Sequence, residues 1–256
     1  MGFSAAYNTD VGIKKKTNQD SLAIKIAETP DGQAAFSLIC DGMGGLAKGE
    51  VASKEVVNAY CEWFGTQFAD MAVNGGFDEE TLRYQWTKLA IEQNERIKAY
   101  GERNGIMLGT TLSALLIYKD RYYIIHVGDS RVYELSSTVR QMTTDQTLVA
   151  REVAAGRMTP EQAEVDSRRS VLLQCVGASP VVEPEFISGE VKAGAEYMIC
   201  SDGFRHKITN EEILDRIGPG VCSTEEDMEQ GCRFLTELVK YRKETDNITV
   251  VLIKME

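Results

Sequence analysis

Phe36-Ser37-Leu38-Ile39-Cys40-Asp41-Gly42-Met43-Gly44-Gly45 is the stretch on which the reading of this 256-residue chain turns. An apolar run of strand character ends in an aspartate, and three glycines follow within four residues. A buried strand that stops at a carboxylate places that carboxylate at a sheet edge, where solvent and ligands meet. Glycine lacks a Cβ, so the backbone there is free to turn sharply and to approach a bound group closely. Helical pattern follows from about Lys48. The same arrangement returns late, at Tyr197-Met198-Ile199-Cys200-Ser201-Asp202-Gly203. Two apolar strands that each end in Asp-Gly point to a carboxylate-lined metal site.

Upstream, Phe3 to Thr9 and Ser21 to Ala27 read as strands, the second with Leu22, Ile24 and Ile26 alternating against Ala23 and Lys25. Between them lies a basic loop, Lys14-Lys15-Lys16, closed by Asp20. Downstream, apolar residues from Val51 to Phe64 recur at helical spacing. A second helix is expected from about Asp78, a plausible N-cap, to Glu102, with Gly105 just beyond its end. Thr110 to Tyr118, Arg121 to Val127 and Val132 to Leu135 read as a meander, with Lys119-Asp120 as a tight hairpin turn. Gly128-Asp129-Ser130-Arg131 interrupts it, with Arg131 placed to offset the charge of Asp129 in the metal-free state. Residues 144–170 are polar and carry the capping box Thr159-Pro160-Glu161-Gln162, which predicts a short helix on an excursion. Strands follow over Val181 to Val191 and Glu196 to Cys200. Thr209 to Glu212 is another capping box, a last helix covers about Thr224 to Tyr241, and Ile248 to Ile253 closes the chain as a strand. No composition shift, linker or repeat divides the sequence, so a single domain over 1–256 is expected. Runs of antiparallel-looking strands between pairs of helices fit packed sheets with helices outside.

A hydrophobic content of 43% beside 26% charged residues is that of an ordinary soluble globular protein. Twenty-eight basic against 39 acidic residues leave a net charge of −11, which argues against nucleic-acid or anionic-membrane binding, because both need basic patches. Cys40, Cys61, Cys175, Cys200, Cys222 and Cys232 show no C-x-x-C spacing and read as reduced, structural thiols. No apolar stretch approaches the ~20 residues of a membrane span. Met1-Gly2 is followed by Ala6 where a myristoylation signal has Ser or Thr. The expected setting is the cytoplasm.

Asp20, Asp41, Asp129, Asp202 and Asp246 share one local context: each sits where a strand begins or ends, and three are followed by Gly or Asn. Carboxylates gathered in one place repel one another unless cations neutralise them. Hard oxygen donors without Cys or His companions suit Mg²⁺ or Mn²⁺ rather than zinc. The two histidines, His126 and His206, read as structural, and with no G-x-S-x-G elbow a Ser-His-Asp triad is not supported. Gly42-Met43-Gly44-Gly45-Leu46-Ala47 also satisfies a dinucleotide fingerprint. Against it, the strand before it ends in an aspartate that would repel a pyrophosphate, and the expected ribose-binding acid falls inside a helical pattern.

Taken together, Asn18-Gln19-Asp20, Asp41-Gly42-Met43-Gly44-Gly45, Gly109-Thr110-Thr111, Val127 to Arg131, Ser201-Asp202-Gly203 and Asp246-Asn247 resemble the metal-dependent serine/threonine protein phosphatases, the PPM or type-2C family, in its compact bacterial form. The motifs run in the family's order over nearly the whole chain. The resemblance implies an α+β fold, a four-layer αββα sandwich of two antiparallel β-sheets flanked by helix pairs, with metals in a cleft at one edge. It implies that Asp41 bridges two Mn²⁺ or Mg²⁺ ions and that the Gly42 carbonyl binds one. Asp202 and Asp246 would complete the other, Asp20 would hold metal-bound waters, and Asp129 with Asp202 would hold a weaker third ion. The excursion at about 144–170 corresponds to the family's flap.

Three departures stand out. Lys15 occupies the place of the family's phosphate-binding arginine, supplying charge without a bidentate fork. Met43 stands where animal members carry a histidine proposed as general acid, so the leaving oxygen would take its proton from metal-bound water. Thr144-Asp145-Gln146 lacks a histidine often found after the aspartate. The implied reaction is hydrolysis of phosphoserine or phosphothreonine on proteins by a water that two metals activate, without a phosphoenzyme. The substrates would be those of a cognate Ser/Thr kinase and the enzyme a monomer. The alternative is a catalytically weak module that binds phosphoproteins and regulates them. Loss of a metal aspartate would signal it, and none is lost.

Overall fold

The computed structural model describes residues 2–44 and 48–256; Gly45, Leu46 and Ala47 of the glycine run and the dinucleotide-like motif lie outside the described residues, as does Met1. Strands β1 (Phe3–Asp10), β2 (Asp20–Thr29) and β3 (Gly32–Gly44) open the chain, followed by helices α1 (Gly49–Trp63), α2 (Ala69–Asn74) and α3 (Glu79–Asn104). Then come β4 (Leu108–Thr110), β5 (Leu112–Tyr118), β6 (Arg121–Val127), β7 (Arg131–Leu135) and β8 (Val139–Gln141). Two short helices, α4 (Leu148–Ala154) and α5 (Pro160–Val165), lead to β9 (Glu185–Glu190) and β10 (Glu196–Cys200). The chain finishes with α6 (Asp202–Arg205), α7 (Asn210–Ile217), α8 (Glu225–Tyr241) and β11 (Ile248–Met255).

Two antiparallel sheets pack face to face, with helices on both outer sides, as the αββα reading expects. One sheet has the order β1-β11-β10-β7-β8, the other β2-β3-β5-β6-β9 with β4 paired to the end of β3. Between them Ala35, Ile39, Leu115, Ile117, Ile124, Val132, Tyr197, Ile199, Val251 and Ile253 form a shared apolar layer. Beneath α1 and α3, Phe36, Leu38, Tyr60, Trp63, Trp86 and Leu116 make an aromatic-rich core. Beneath α7 and α8, Met198, Cys200, Ile213, Cys232, Leu235, Val250 and Leu252 make a smaller, mainly aliphatic one. Strand parity explains the division: Ala35 and Ile39 face the other sheet, whereas Phe36, Leu38 and Cys40 face the helices. Burial on both faces is why this stretch reads as a continuous apolar run rather than an alternating one.

The structure differs from the sequence reading in ways that bear on the site. Asp41 does not end its strand. β3 runs on to Gly44, exchanging its partner β5, which pairs with Ala35 to Ile39, for β4, which pairs with Gly42 to Gly44. The expected strand Thr110 to Tyr118 is accordingly cut at Thr111. The meander is split as well: β6 belongs to one sheet and β7 to the other, so Gly128-Asp129-Ser130 crosses between sheets. Periodicity identifies a strand but not its partner. The first helix continues through a π-turn at Phe64–Phe68 into α2, the excursion holds two helices rather than one, and the 181–191 strand shortens to β9. The hairpin at Lys119-Asp120 has both residues in the left-handed region, as a two-residue turn between twisted strands requires. The capping boxes at Thr159 and Thr209 form as expected, and Thr224 with Asp227 adds a third. Among the described residues no helix is long and apolar enough to cross a membrane.

Trp86 is fully buried, its ring 5.3 Å from that of Trp63 and 6.1 Å from that of Phe36. Trp86→Ala is expected to lower the unfolding free energy by about 3–5 kcal/mol, measured in urea. A loss under about 1 kcal/mol would show that α3 is not packed on the sheet as described.

Candidate metal centre

The inward-facing rows of the two sheets change from apolar to polar at one edge, and there the candidate residues meet. Asp41 follows Ala35, Ser37 and Ile39 in parity, so it faces the layer between the sheets. Asp20 is its direct cross-strand partner and shares that face. From the opposite sheet Thr249 follows Val251 and Ile253 in parity, and its hydroxyl donates to Asp20 Oδ2 at 2.6 Å. Asp202 begins α6 immediately after β10, Asp246 precedes β11, and Asp129 lies on the crossing from β6 to β7. These elements bring Lys15, Gln19, Asp41, Gly42, Asp129, Asp202 and Asp246 around one cleft of about 340 Å³, with Ser170 and Leu172 from beyond α5 on its rim. Asp20 lies buried beside this cleft.

Hydrogen bonds hold the acids in place through the backbone. The Asp41 amide donates to Thr111 Oγ1, and its carbonyl accepts from the Thr110 hydroxyl and the Thr111 amide, each at 2.9 Å. The break between β4 and β5 therefore presents two threonines to Asp41. Asn247 ties down the lysine loop: its Oδ1 accepts from the Gln19 amide at 2.9 Å, and its Nδ2 donates to the carbonyls of Val11 and Thr17. Gly42 is required by contact, since a Cβ there would stand 2.3 Å from the Gly49 carbonyl oxygen and 2.5 Å from that of Gln19. Gly203 is required likewise, because a Cβ would lie 2.1 Å from the Asn247 carbonyl oxygen. Of the three lysines only Lys15 lines the cleft, and its Nζ pairs with Asp246 Oδ1 at 2.9 Å.

The electrostatics are those of uncompensated negative charge. Burial raises the Asp20 carboxyl to about 7, only partly opposed by bonds from Thr249 and Ser201, and Asp202 and Asp246 push it further. Burial, then Asp20, Asp202 and Asp129, drives Asp41 well above the carboxylate range. Asp129 is raised to about 7 by burial and Asp202, with Arg205 opposing, and Asp202 is raised by burial against the same arginine. Partial burial works against the charge of Lys15, but Asp246, Asp41 and Asp202 hold its ammonium above the ordinary value. Asp20 Oδ1 and Asp202 Oδ1 are buried without a hydrogen-bond partner among the described residues. Buried carboxylate oxygens without partners are costly, and a cation beside them would relieve both the desolvation and the repulsion. Among the described residues no three His, Cys, Asp or Glu side chains form a closed cage for an ion. Separate carboxylates on a rim fit Mg²⁺-type ions, which draw on one or two carboxylates and keep several waters.

Residues 13–240 match the family model described as Protein phosphatase 2C. The chain belongs to the protein phosphatase 2C family. A putative protein phosphatase 2C-type of Streptococcus pyogenes is 30% identical, over 98% of this chain and 97% of that protein. The serine/threonine phosphatase structure from S. agalactiae superposes with a TM-score of 0.84 at 27% identity, covering all of both chains. The catalytic domain of the serine/threonine protein phosphatase PstP, solved with two manganese ions, superposes at 0.79 with 29% identity, over 98% of this chain and 97% of that one.

Within this protein phosphatase 2C chain, two networks behind the cleft have no counterpart in the sequence reading. Thr111 Oγ1 meets Ser130 Oγ at 2.8 Å, and the Ser113 hydroxyl lies 2.9 Å from both the Ser130 carbonyl oxygen and His126 Nδ1. His126 Nε2 reaches the Thr144 carbonyl oxygen at 3.2 Å, and because a carbonyl only accepts, Nε2 is the donor in that contact. The second network refines the expectation that Arg131 offsets Asp129, which it does only from a distance. Arg131 forms a bidentate pair with Asp145, 2.7 Å at both contacts, and it is Arg205 that approaches Asp129. Burial opposes the Asp145 charge, but Arg131 and Arg205 outweigh it and hold this carboxyl below its ordinary value. Side-chain pairing across 60 residues leaves no trace in local spacing. His206, expected to be structural, lies 3.9 Å from both Asp202 and Glu244, where burial and Arg205 lower it to about 4.

The raised carboxyls fix the sign of a pH effect. Asp20 titrates near 7 when folded and near 3.8 when unfolded, so between these values the folded chain binds the extra proton. The stability of the chelator-treated protein is therefore expected to fall as pH rises from about 4 to 7. Asp20→Asn should flatten that slope and raise the melting temperature at pH 7.5. A metal-free melting temperature that is independent of pH over this range in the wild type would contradict the crowding.

Proposed function

We propose that the chain hydrolyses phosphoserine and phosphothreonine in proteins with divalent cations, Mn²⁺ or Mg²⁺, held in the Asp41 cleft. The observation that carries this reading is the gathering of five aspartates at one edge of the sandwich, two of them with buried oxygens that no group among the described residues satisfies. Asp41, the Gly42 carbonyl, Asp202 and Asp246 would hold two ions, Asp20 would act beside them, and Asp129 with Asp202 would take a weaker third. When bound, such ions supply Lewis-acid charge to the phosphoryl oxygens and lower the pKa of water.

The chain's own groups prepare the reaction. Three backbone bonds from Thr110 and Thr111 keep the Asp41 carboxylate from drifting, which matters because phosphoryl transfer asks a protein mostly for position and charge. Thr249 occupies Asp20 Oδ2 and thereby leaves Oδ1 as the free oxygen. Lys15 brings a cation to the cleft mouth, placed to meet the incoming phosphate once Asp246 is otherwise engaged. Met43 on the rim has no proton to give, so in this reading the leaving oxygen takes its proton from water. The whole of 1–256 acts as one phosphatase domain in this reading, a cytoplasmic monomer whose 144–170 segment serves as the flap. Its substrates are phosphoproteins made by a Ser/Thr kinase.

Asp41→Asn and Asp202→Asn are each expected to lower turnover of a phosphothreonine peptide with Mn²⁺ by roughly 10²-fold or more, the scale of losing one preorganised charged group. The circular dichroism spectrum should be unchanged. Near wild-type turnover of either variant at saturating Mn²⁺ would falsify the assignment.

Lys15 is tested separately. Lys15→Ala should raise KM more than it lowers kcat, whereas Lys15→Arg should preserve or improve binding through a bidentate contact. An unchanged KM in Lys15→Ala would take the phosphate-binding role away from this lysine.

A further inference from the structure

No sequence motif singles out Arg205, yet it is the cation that faces Asp129 from within the protein. It closes α6, the short helix that opens with Asp202. Its Nη2 donates to the Asp129 carbonyl oxygen at 3.3 Å and lies 3.7 Å from Asp129 Oδ2. The same Nη2 stands 3.4 Å from Asp145 Oδ2, so two carboxylates compete for one guanidinium nitrogen. The side chain is only 12% exposed, and its Nε is buried without a partner among the described residues. Asp145 is already served by the Arg131 fork. Arg205 therefore has charge to spare for Asp129.

Position matters as much as charge. Asp129 and Asp202 line the cleft, whereas Arg205 does not. Asp129 thus meets open space on one side and a fixed cation on the other. An ion approaching from the cleft would meet the field of that cation in a half-buried setting, where salt screens little. One turn of chain carries both a candidate ligand, Asp202, and the group that opposes ion binding at its neighbour. Asp145 sits at the root of the 144–170 segment, and how firmly it holds Arg205 decides how much of the guanidinium is left for Asp129.

We propose that Arg205 is the built-in countercharge of Asp129, a positioning residue that weakens the cation site formed by Asp129 and Asp202, and that Asp145 sets the strength of this effect by competing for the same guanidinium. The inference rests on the reading of the cleft as a divalent-cation site. It makes the third ion's affinity a property of a protein ion-pair network rather than of ligand count alone.

The test is calorimetric titration of Mn²⁺ into the full chain after chelator treatment. Arg205→Met should bind the weak ion about tenfold tighter, within the range usual for coupling between neighbouring sites, a larger change than in the tight ions, because Arg205 approaches Asp129 closely and acts on Asp202 only at longer range. Asp145→Asn should act in the opposite direction, because Arg131 and Arg205 are both released toward Asp129, and weaken that ion several-fold. General loosening of the fold would move both variants the same way. Should Arg205→Met not fold, the near-isosteric Asp145→Asn decides alone. An unmoved or weakened third ion in folded Arg205→Met overturns the proposal, as does an unmoved or tightened one in Asp145→Asn. If the wild type shows only two ions, a third must appear in Arg205→Met for the proposal to stand. Absence of any Mn²⁺ binding to the wild type defeats the metal reading itself, whereas tight binding with an unaltered third site defeats only the role of Arg205.

Discussion

Repulsion among carboxylates at the seam between two sheets is the constraint on which the rest of this structure depends. Asp20, Asp41, Asp129 and Asp202 are raised by burial and by one another, and among the described residues Lys15, Arg205 and, more weakly, Arg131 act against them. Such a site opposes folding, so the surrounding structure must impose it. The apolar layer between the sheets and the two helix-covered cores do so, because Asp41, Asp129 and Asp202 continue or closely follow deeply buried strands, and Asp20 is paired across the sheet to Asp41. Stability generated in the layers is spent at their edge, where a function needs charge.

The hydrogen bonding around the acids follows from that arrangement. Backbone groups rather than side chains bear most of the positioning: Asp41 is clamped at both its amide and its carbonyl, and Asn247 holds the lysine loop by three main-chain contacts. Carboxylate oxygens are thereby left free, which suits a cation site and would be a defect anywhere else. The His126 network extends the same order from Thr111 to Thr144, at the start of the segment that borders the cleft.

Much of this was legible in the sequence, and the parts that were not have physical reasons. Asp20, Asp41, Asp202 and Asp246 could be read because each interrupts or adjoins an apolar run, and a charge there has few structural uses. The αββα layering followed from paired helices between strand runs. Strand partnership did not follow: Thr110 to Tyr118 reads as one run of strand-forming residues, so nothing local marks the break at Thr111 where β3 changes partner. The assignment of β6 and β7 to different sheets was hidden for the same reason. Arg131 seemed the natural partner of Asp129 because it is close in the chain, whereas the pair actually formed draws Arg205 from 76 residues away. Long-range ion pairs obey geometry that periodicity does not encode.

The pairing of β1 with β11 carries a consequence for the birth of the molecule. Asp20 needs Thr249, and the lysine loop needs Asn247, so groups from the first tenth of the chain wait for partners from its last tenth. At the usual pace of synthesis the 226 residues between Asp20 and Asp246 take roughly 10–45 s to make. During that interval the sheet that begins with β1 lacks the strand next to it, and the cleft has only part of its wall. Until β11 has been made, the nascent chain lacks Thr249 behind Asp20 and Asn247 behind the lysine loop, so the cleft cannot yet take its folded form.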